Sequence, residues 1–521
     1  MTRRVRRARA AIAALLLLSC AARGARAQAT LPAGFTDQLV VGGLSSPCGI
    51  AFLPDGRLLL VEQLSARLRL VVNDALAAVD PVAVVPNVRT GGERGLLGIA
   101  VDPGFPARPY VYVHCTDLSA PVVRISRYTL GGDLGFTGNG SLTINLATRY
   151  DVLADVPDNA SNHNGGTLRF GADGMLYASF GEDAQGCAAQ DTSGVLGVIL
   201  RLDVSQLPAG GGGPPAPGLI TPAGNPFPGG GLNARLIWAF GFRNPFRFHI
   251  DPLNGALFVG DVGEQTWEEI DRVPQGGLDF GWPRYEANEL HDASCALTLP
   301  ATFPIHAYDR SSMSVAAVIC AGPYRSPPGA ARRFPSEYEG DCFFGDYYGG
   351  YLRRLKGSGT AWALAPPVAG QPSPDNWATG LGAASDYAIA ADGSLWYCRQ
   401  FTGGSGPTGV VRRIVNLTST DVAGEARAAR PLLAPPRPCP SAGETHLAYT
   451  LPAPAEVTLA ILDLRGRRVR ALVPRTREDA GVHDRVWDGR DGRGRSLPAG
   501  IYVAVLTAGS ERVERRVARV R

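Results

Sequence analysis

Lysine is almost absent from this sequence, and the cationic side chains are nearly all arginine. Lys356 is the sole lysine among 51 Lys and Arg residues, and 47 Asp and Glu residues leave a net charge of +4. That charge is small for 521 residues and forms no groove-like basic patch along the sequence. We therefore expect no nucleic-acid partner.

Long apolar runs are missing after residue 27. Residues 1–27 combine an arginine-rich start, an apolar stretch at 11–18 and the sequence Ala25-Arg26-Ala27, which is typical of a secretory signal peptide cleaved after Ala27. The apolar stretch is too short to span a bilayer. We expect no transmembrane span and a secreted, periplasmic or cell-surface location. A lipoprotein-type cleavage before Cys20 is an alternative, although Leu18 matches that pattern poorly.

Cysteine pairs with the spacing of a metal site are missing too. The absence of any Cys-x-x-Cys argues against a zinc or iron–sulfur site. An even number of cysteines follows the signal, which is compatible with disulfide bonds in an exported protein. These cysteines are Cys48, Cys115, Cys187, Cys295, Cys320, Cys342, Cys398 and Cys439. The sequence does not fix their pairing.

Helical periodicity is a further absence, since no long stretch repeats apolar residues every 3.6 positions. Short apolar runs separated by Gly, Pro and Asp-Gly predict an all-β chain instead. One hairpin pattern recurs, with a Pro-Asp-Gly or similar turn between two apolar runs. Its clear copies are residues 49–60, 97–104 with the strand at 110–113, 168–177, 246–258 and 387–397. A degenerate copy at 343–355 fills the gap before the last.

Six such units predict a six-bladed β-propeller over residues 35–415, because units stacked radially bury their faces against one another. The alternative is a large sandwich or jelly roll, which would not require a repeated turn at one place in each unit. Long Gly- and Pro-rich insertions, such as residues 208–228, would gather at one end of a propeller and are candidates for function.

Residues 416–440 predict a Pro-rich linker and residues 441–521 a small antiparallel β-sandwich. The expected strands are 445–450, 455–462, 468–473, 483–487 and 501–506. Residues 488–494, rich in Asp and Gly, predict a turn, because they lack the ligand spacing of an EF-hand calcium loop. With Ala480-Gly481-Val482-His483, Trp487-Asp488-Gly489 and residues 498–502, the tail resembles a FlgD-type immunoglobulin-like domain. That resemblance implies a spacer, an adhesion module or a secretion-sorting tail, with a cell-surface or secretion-machinery contact.

The sequence Asn162-His163-Asn164-Gly165-Gly166-Thr167-Leu168 places an imidazole on a tight loop at the entrance of a predicted strand. Glycine permits positive φ or close approach of the backbone. Histidine can accept a proton near neutral pH, which makes His163 a candidate general base. The alternative is a histidine that only makes structural hydrogen bonds or lies on the surface.

Several motifs, in order, resemble the soluble quinoprotein glucose/sorbosone dehydrogenase family, which includes aldose sugar dehydrogenases and Hedgehog-interacting-protein-like chains. The resemblance covers about residues 35–415 and implies a six-bladed propeller. The motifs are residues 92–100 (Gly-Glu-Arg-Gly-Leu-Leu-Gly-Ile-Ala), 162–168, 241–245 (Gly-Phe-Arg-Asn-Pro), 260–263 (Gly-Asp-Val-Gly) through 267–271 (Trp-Glu-Glu-Ile-Asp), and 280–283 (Phe-Gly-Trp-Pro).

The resemblance implies that His163 is the general base that removes the anomeric hydroxyl proton while hydride passes to pyrroloquinoline quinone (PQQ). Arg243 and Asn244 match positions that hold the quinone, and Glu93 and Asn162 lie at neighbouring cofactor positions. A guanidinium suits the carboxylates and carbonyl oxygens of a quinone. The alternative for Arg243 is a structural pair with a loop carboxylate.

Calcium is the second cofactor that the resemblance implies, with ligands at the carbonyls of Gly263 and Glu264 and at Glu269. Asp261, Glu268 and Asp271 complete a dense acidic segment, and Ca²⁺ prefers such oxygen ligands. The alternative is a solvated acidic turn.

Four departures from the family pattern concern charge near the quinone. Asn162 stands in place of an aspartate, which leaves the base without an adjacent charge partner, and Glu93 stands in place of a glutamine. Tyr347-Tyr348-Gly349-Gly350 replaces a segment that carries a cofactor-binding lysine, and Ser385-Asp386-Tyr387 replaces arginines.

Three functions therefore remain open. The first is an exported dehydrogenase dependent on PQQ and Ca²⁺, which oxidises a small aldose to its lactone and passes electrons to an unknown acceptor. The second is a non-catalytic, calcium-stabilised propeller that binds a glycan or protein, and the charge departures favour it. The third is a metal-assisted lactone hydrolase.

Overall fold

The computed structural model describes residues 28–311, 313–417, 432–433, 436, 441, 443–451, 454–463, 465–479, 481–509 and 511–520. The expected signal peptide, Cys439 and most of the expected linker lie outside these residues. The chain forms two compact units, residues 1–420 and 421–521.

The all-β prediction is confirmed. The helices in the described residues are short 3₁₀ turns at Gly186–Gln190, Pro217–Leu219, Ala234–Leu236 and Ser336–Tyr338. Within this part of the chain no helix has the length and apolar character that crossing a bilayer requires.

Six sheets and one small hairpin make up the described strands of the first unit. The first strand is β1 (Phe35–Leu44). Sheet 1 contains β2 (Pro47–Phe52), β3 (Leu58–Glu62), β4 (Arg67–Val72), β5 (Ala75–Leu76) and β6 (Ala83–Val84). Sheet 2 contains β7 (Leu96–Val101), β8 (Tyr110–Thr116), β9 (Val122–Gly132) and β10 (Leu142–Pro157). Sheet 3 contains β11 (Leu168–Phe170), β12 (Leu176–Phe180), β13 (Val198–Leu202), β14 (Ile237–Phe240) and β18 (Leu278–Asp279).

The remaining three sheets of this unit also contain four or five strands each. Sheet 4 contains β15 (Pro245–Ile250), β16 (Leu257–Asp261), β17 (Trp267–Val273) and β21 (His306–Asp309), and β19 (Tyr285–Glu286) with β20 (Glu289–Leu290) forms the hairpin. Sheet 5 contains β22 (Val318–Pro323), β23 (Cys342–Asp346), β24 (Tyr351–Ser358), β25 (Ala361–Leu364) and β26 (Ala378–Thr379). Sheet 6 contains β27 (Ala384–Ile389), β28 (Leu395–Arg399), β29 (Gly409–Asn416) and β1.

The sheets contact one another in cyclic order. β2 contacts β7, β7 contacts β11, β12 contacts β15, β15 contacts β22, β22 contacts β27, and β27 returns to β2. β1 pairs antiparallel with β29, so the beginning of this unit completes the sheet formed by its end. This cyclic order places the segments that lead into β7, β11 and β15 near one another, and the candidate site residues lie in these segments.

The recurring turn joins the first two strands of five sheets. These hairpins are β2–β3, β7–β8, β11–β12, β15–β16 and β27–β28. The degenerate copy at residues 343–355 forms β23 and β24 instead, the second hairpin of sheet 5. The reason is that residues 324–341, rather than a tight turn, connect the first strand of this sheet to the second.

Arg247 on β15 links four sheets through hydrogen bonds of its side chain. Its side chain is buried, with Nε donating to the Ser385 carbonyl at 2.7 Å and Nη2 donating to the carbonyls of Cys48 and Leu97 at 2.7 and 3.0 Å. Asp386 lies 3.8 Å from Nε and supplies the opposite charge. The guanidinium therefore satisfies carbonyl groups of sheets 1, 2 and 6 that have no access to water.

The buried neutral histidines of this unit should lower its stability in acid, whereas buried carboxylates with raised pKa values, such as Glu268, act in the opposite direction. Burial lowers the pKa of His114 and of His249 to about 3, with the charge of nearby arginines adding to the effect. The unfolded chain binds these protons near pH 6.5 and the folded chain does not, so the contribution of each histidine to stability falls as the pH drops below that value. We expect about 2 kcal/mol lost per histidine between pH 7 and pH 5.

The measurement is the free energy of urea unfolding at the two pH values. His114→Leu should remove a loss of about 2 kcal/mol between pH 7 and pH 5, whereas His446→Leu, at an exposed position of the second unit, should leave the pH dependence unchanged. An unchanged pH dependence of stability in His114→Leu would contradict this reasoning.

The second unit contains two antiparallel sheets in its described residues. One contains β30 (Leu432–Leu433), β31 (Thr445–Leu451) and β34 (Gly481–Trp487), and the other contains β32 (Ala455–Leu462), β33 (Arg468–Glu478), β35 (Gly500–Ala508) and β36 (Glu511–Arg519). Trp487, Leu447 and Ile461 share a buried apolar core between them. Asp491 accepts hydrogen bonds from the backbones of Arg493 and Arg495, as expected for a turn.

Candidate active site

His163 lies in the loop that leads into β11, and its side chain is almost fully buried. Only 8% of the residue is exposed, and its backbone φ is 59°, in the left-handed region. Gly165 has φ of 64°, and a Cβ atom there would lie 2.5 Å from the Ser179 carbonyl oxygen. The loop thus needs glycine both for its conformation and for close backbone approach.

Glu182 is the charge partner of His163. Its carboxylate Oε1 hydrogen-bonds Nδ1 of the imidazole, and the carboxylate is buried at the end of the strand β12. Oε2 has no hydrogen-bond partner among the described residues. The expectation that substitution at Asn162 leaves the base unpartnered is therefore wrong, because the partner comes from the next strand of the same sheet.

Glu93 connects the His163 loop to the segment before β15. Its Oε2 accepts hydrogen bonds from the backbone N–H of His163 at 2.8 Å and from Nδ2 of Asn244 at 3.1 Å. Oδ1 of Asn244 accepts in turn from the Gly165 N–H at 3.1 Å. Glu93, His163 and Asn244, which precede the first strands of sheets 2, 3 and 4, are thus brought together by direct hydrogen bonds.

Arg243 is held beside these residues by its backbone. Asp261 accepts hydrogen bonds from the N–H groups of Arg243 and Asn244 at 2.9 and 2.7 Å. The guanidinium Nη1 donates to the Val262 carbonyl at 3.0 Å, and its carbon lies 5.4 Å from the ring centre of Trp282. Nε is buried without a partner among the described residues, so this side chain has unused donor capacity.

Asn162 does not join this network. It is half-buried, and its side-chain amide makes no hydrogen bond to any residue that the structure describes. Asn164, two residues further along the chain, by contrast donates to Asp158 at 2.9 Å, which anchors the loop.

The three predicted calcium ligands have different surroundings. The Gly263 carbonyl accepts a hydrogen bond from Arg310 at 2.7 Å. Glu264 is predicted to bind through its carbonyl, and its exposed carboxylate pairs with His291 at 2.9 Å. Glu269 is buried, and one of its oxygens accepts from the backbone N–H of Ala287.

Glu269 belongs to a buried acidic cluster with Asp261 and Asp271. Burial raises the pKa of Asp261 to about 6, and burial with carboxylate neighbours raises the pKa values of Glu269 and Asp271 well above their usual range. Neither carboxylate oxygen of Asp271 has a hydrogen-bond partner in the described part of the chain. Such a cluster requires protons or a cation for stability.

Side chains alone do not complete a metal site here. In the described residues, the one group of three Cys, His, Asp or Glu side chains that converges on a point is Cys187, Asp292 and Cys295. Cys187 and Cys295 form a disulfide bond, so their thiols are not free to bind an ion. A cation at the acidic cluster would therefore need backbone carbonyls as well.

The disulfide joins two loops that flank the site. Cys187 follows Glu182 in the loop after β12, and Cys295 lies beyond Trp282 in the loop that follows β20. Gln190 strengthens the connection, since its Nε2 donates to the Trp282 carbonyl at 3.0 Å. The segments that carry the partners of His163 and Arg243 are thus tied to each other.

The positions that depart from the family pattern make other contacts. The Tyr347 hydroxyl donates to Gln400 at 2.6 Å, and Gln400 donates to Gln63 at 2.7 Å. Asp386 pairs with Arg169 at 2.6 Å. Lys356 pairs with Asp341 at 2.7 Å.

Comparison with known proteins adds independent evidence. The family model described as Glucose / Sorbosone dehydrogenase matches residues 44–361, and the model of the FlgD Ig-like domain matches residues 440–511. An aldose sugar dehydrogenase of Escherichia coli (strain K12) is 29% identical over 262 residues, which are 48% of this chain and 62% of that protein. The HIPL1 protein of Arabidopsis thaliana is 34% identical over 29% of this chain and 24% of its own length.

A solved structure covers the first unit more completely. The PQQ-bound aldose sugar dehydrogenase of Streptomyces coelicolor has a TM-score of 0.55 and 25% identity, over 74% of this chain and 99% of that one. The chain spans less than two thirds of the length of the two curated relatives. The family model nevertheless covers more than half of the chain, so the protein belongs to the glucose/sorbosone dehydrogenase family and carries a FlgD Ig-like domain near its C-terminal end.

Proposed function

We propose that the protein is an exported, PQQ-dependent sugar dehydrogenase that oxidises an aldose to its lactone, with His163 as the general base. The observation that carries this proposal is the buried pair of His163 and Glu182, held by hydrogen bonds against Glu93 and Asn244 with Arg243 beside them. The similarity to a PQQ-bound aldose sugar dehydrogenase supports the choice of cofactor.

The hydrogen bond at Nδ1 determines what the imidazole can do. Because Glu182 engages Nδ1, Nε2 of His163 is the nitrogen left to accept the proton of the anomeric hydroxyl. The negative charge of Glu182 stabilises the imidazolium that forms. The anomeric carbon loses its hydrogen as hydride and its hydroxyl becomes the lactone carbonyl. PQQ, when bound, supplies the hydride acceptor.

Arg243 is the residue that fits the quinone best. Its guanidinium lies over Trp282 and its buried Nε has no partner in the described residues, so a carboxylate or carbonyl oxygen of the quinone would satisfy it. Asn244 and Glu93 orient the loop around the quinone, and Asn162 remains available for contact with a ligand.

Calcium is proposed at the acidic segment, with Gly263, Glu264 and Glu269 as its ligands. Glu269 fits this role most directly, because a cation would neutralise it together with Asp271, whose oxygens lack partners among the described residues. The Gly263 carbonyl would exchange Arg310 for the ion, and the Glu264 carbonyl would supply a second backbone ligand.

The domain organisation proposed is a six-bladed β-propeller over residues 35–415, a linker at 416–440 and an immunoglobulin-like sandwich at 441–521. The cyclic order of six sheets supports the propeller. A shared core between two sheets, together with the FlgD Ig-like match, supports the sandwich. A signal peptide at 1–27 would direct the protein to the periplasm, cell surface or medium.

A non-catalytic binding protein is the second candidate, and one observation favours it. Tyr347 and Asp386 stand where the resemblance implies cationic cofactor contacts, and both are engaged by other side chains.

Purified protein mixed with PQQ and Ca²⁺ should reduce an artificial electron acceptor when an aldose is added. Failure with every aldose, despite binding of a sugar, would favour this second candidate.

Replacing Glu182 by glutamine should lower kcat by about 100-fold while changing KM for the sugar little. The amide keeps the size of the side chain but removes the charge that stabilises the imidazolium. Steady-state kinetics of Glu182→Gln and Glu182→Asp measure this, and the aspartate variant, which keeps the charge, should retain more activity. Equal activity of Glu182→Gln and the unsubstituted protein would remove Glu182 from the mechanism.

A further inference from the structure

The small net charge of the whole chain conceals two units of opposite sign. Residues 28–420 contain 26 Lys and Arg against 35 Asp and Glu, a net charge of −9. Residues 441–521 contain 15 Arg against 10 Asp and Glu, a net charge of +5 in a much shorter segment. An arginine-rich composition of the whole chain does not explain this difference, because the first unit is acidic. The second unit is therefore specifically basic.

The fold of the second unit collects these arginines at one end. The start of β33, directly after the turn from β32, lies beside the loop after β34, with the Gly492 N–H donating to the Val469 carbonyl at 2.9 Å. The last strand reaches the same end, since Val503 on β35 pairs with both Leu462 and Arg516. We call this surface the basic end. Its arginines are Arg465, Arg467, Arg468, Arg470, Arg490, Arg493, Arg495, Arg516 and Arg519.

The charge of the basic end is only partly balanced. Its aspartates are Asp463, Asp488 and Asp491, which pair with Arg467, Arg470 and Arg495. Other arginines are exposed, and the side chains of Arg468, Arg493 and Arg516 have no hydrogen bond or ion pair within the described residues. Such guanidinium groups are free to bind an external anion.

We propose that the basic end docks on a membrane surface that carries anionic phospholipid headgroups. Guanidinium groups bind phosphate through directed, charge-assisted hydrogen bonds, and clusters of four to eight basic residues are typical of binding to anionic lipid. Ile501, 42% exposed at the start of β35, adds an apolar side chain at the same end. The arrangement fits a surface of headgroups that the protein rests on without crossing.

Nucleic acid is a different polyanion, and the surroundings of the arginines disfavour it. Binding of single strands combines basic side chains with exposed aromatic rings on which bases stack. The aromatic residues of 441–521 are Tyr449, Trp487 and Tyr502, and all three are buried. The basic end thus offers charge without a stacking surface.

The test is cosedimentation of the full-length protein with vesicles of phosphatidylglycerol and phosphatidylcholine, compared with vesicles of phosphatidylcholine alone. We expect binding only to the anionic vesicles, with loss of binding as salt rises. The triple variant Arg468→Gln, Arg493→Gln and Arg516→Gln should lower the partition coefficient by roughly 100-fold.

The matched control is the triple variant Arg475→Gln, Arg477→Gln and Arg512→Gln, which removes the same charge at the opposite end of the sheet. It should lower binding no more than about threefold. Equal loss in both triple variants, equal binding to the two kinds of vesicle, or tighter binding to a short DNA than to anionic vesicles would each overturn the proposal.

Discussion

Replacing His163 by glutamine should lower kcat for aldose oxidation by about 1,000-fold. Glutamine is polar and similar in size, so it can occupy the buried loop, but it cannot take up a proton near neutral pH. Because the loop is held through the backbone N–H of His163 and through Gly165, its conformation should survive the substitution. Steady-state kinetics with PQQ, Ca²⁺ and a saturating aldose measure the effect.

His446→Gln is the control, since it makes the same substitution at an exposed position of the second unit. Its kcat should equal that of the unsubstituted protein. PQQ binding by His163→Gln should remain, which separates loss of the base from loss of the pocket. A His163→Gln protein that retains more than about a tenth of the activity would contradict the assignment of a general base.

Replacing Arg247 by methionine should lower the free energy of unfolding by about 4 kcal/mol. The substitution leaves the carbonyl groups of Ser385, Cys48 and Leu97 buried without this donor and leaves the charge of Asp386 with less compensation. Methionine fills much of the volume, so the loss reports the hydrogen bonds and charge more than an empty cavity. Urea unfolding followed by tryptophan fluorescence measures it.

Arg272→Met provides the comparison, because the Arg272 side chain makes a single long hydrogen bond at the surface, to the Gly359 carbonyl at 3.4 Å. Its stability should change by less than about 0.5 kcal/mol. If Arg247→Met unfolds at the same urea concentration as Arg272→Met, the contacts of Arg247 do not hold the four sheets together.

Much of the site could be predicted from the order of the sequence motifs. Glu93, His163 and Asn244 each precede the first strand of a sheet, and a cyclic arrangement of sheets brings such positions together. The exception is Glu182, which no pattern around His163 indicates. It follows the second strand of sheet 3, so only the antiparallel pairing of β11 with β12 returns it to the imidazole. The one signal in the sequence is that Gly181-Glu182-Asp183 closely follows the hairpin predicted at residues 168–177.

The fold was predictable where a local turn specifies it. Short turns that contain glycine specify five of the first hairpins, and in four of them the glycine adopts positive φ at little cost, namely Gly56, Gly174, Gly255 and Gly393. The first hairpin of sheet 5 could not be predicted in this way, because a long connection joins its first two strands. The recurring pattern falls on the next hairpin, β23–β24. Arg247 was also missed, because a buried arginine that serves carbonyls of distant strands leaves no local signal.

The charge of the second unit shows a different limit of sequence reasoning. A net charge taken over the whole chain is +4 and gives no hint of a basic surface. The arginines of the basic end come from the turn between β32 and β33, the start of β33, the loop after β34 and the last strand. The pairing of β32, β33, β35 and β36 brings them to one end. Separate charge counts for each predicted domain would have found the asymmetry but not the surface.

Titration of the purified protein with PQQ in the presence of Ca²⁺, followed by the absorbance of the quinone, tests the proposed function most directly. We expect saturable binding of one PQQ per chain, and weaker binding by at least about tenfold in Arg243→Ala, because that variant loses the charge-assisted contact to the quinone. Addition of an aldose to the loaded protein should then bleach the oxidised quinone spectrum. Absence of saturable PQQ binding would contradict the dehydrogenase proposal, whatever the fold.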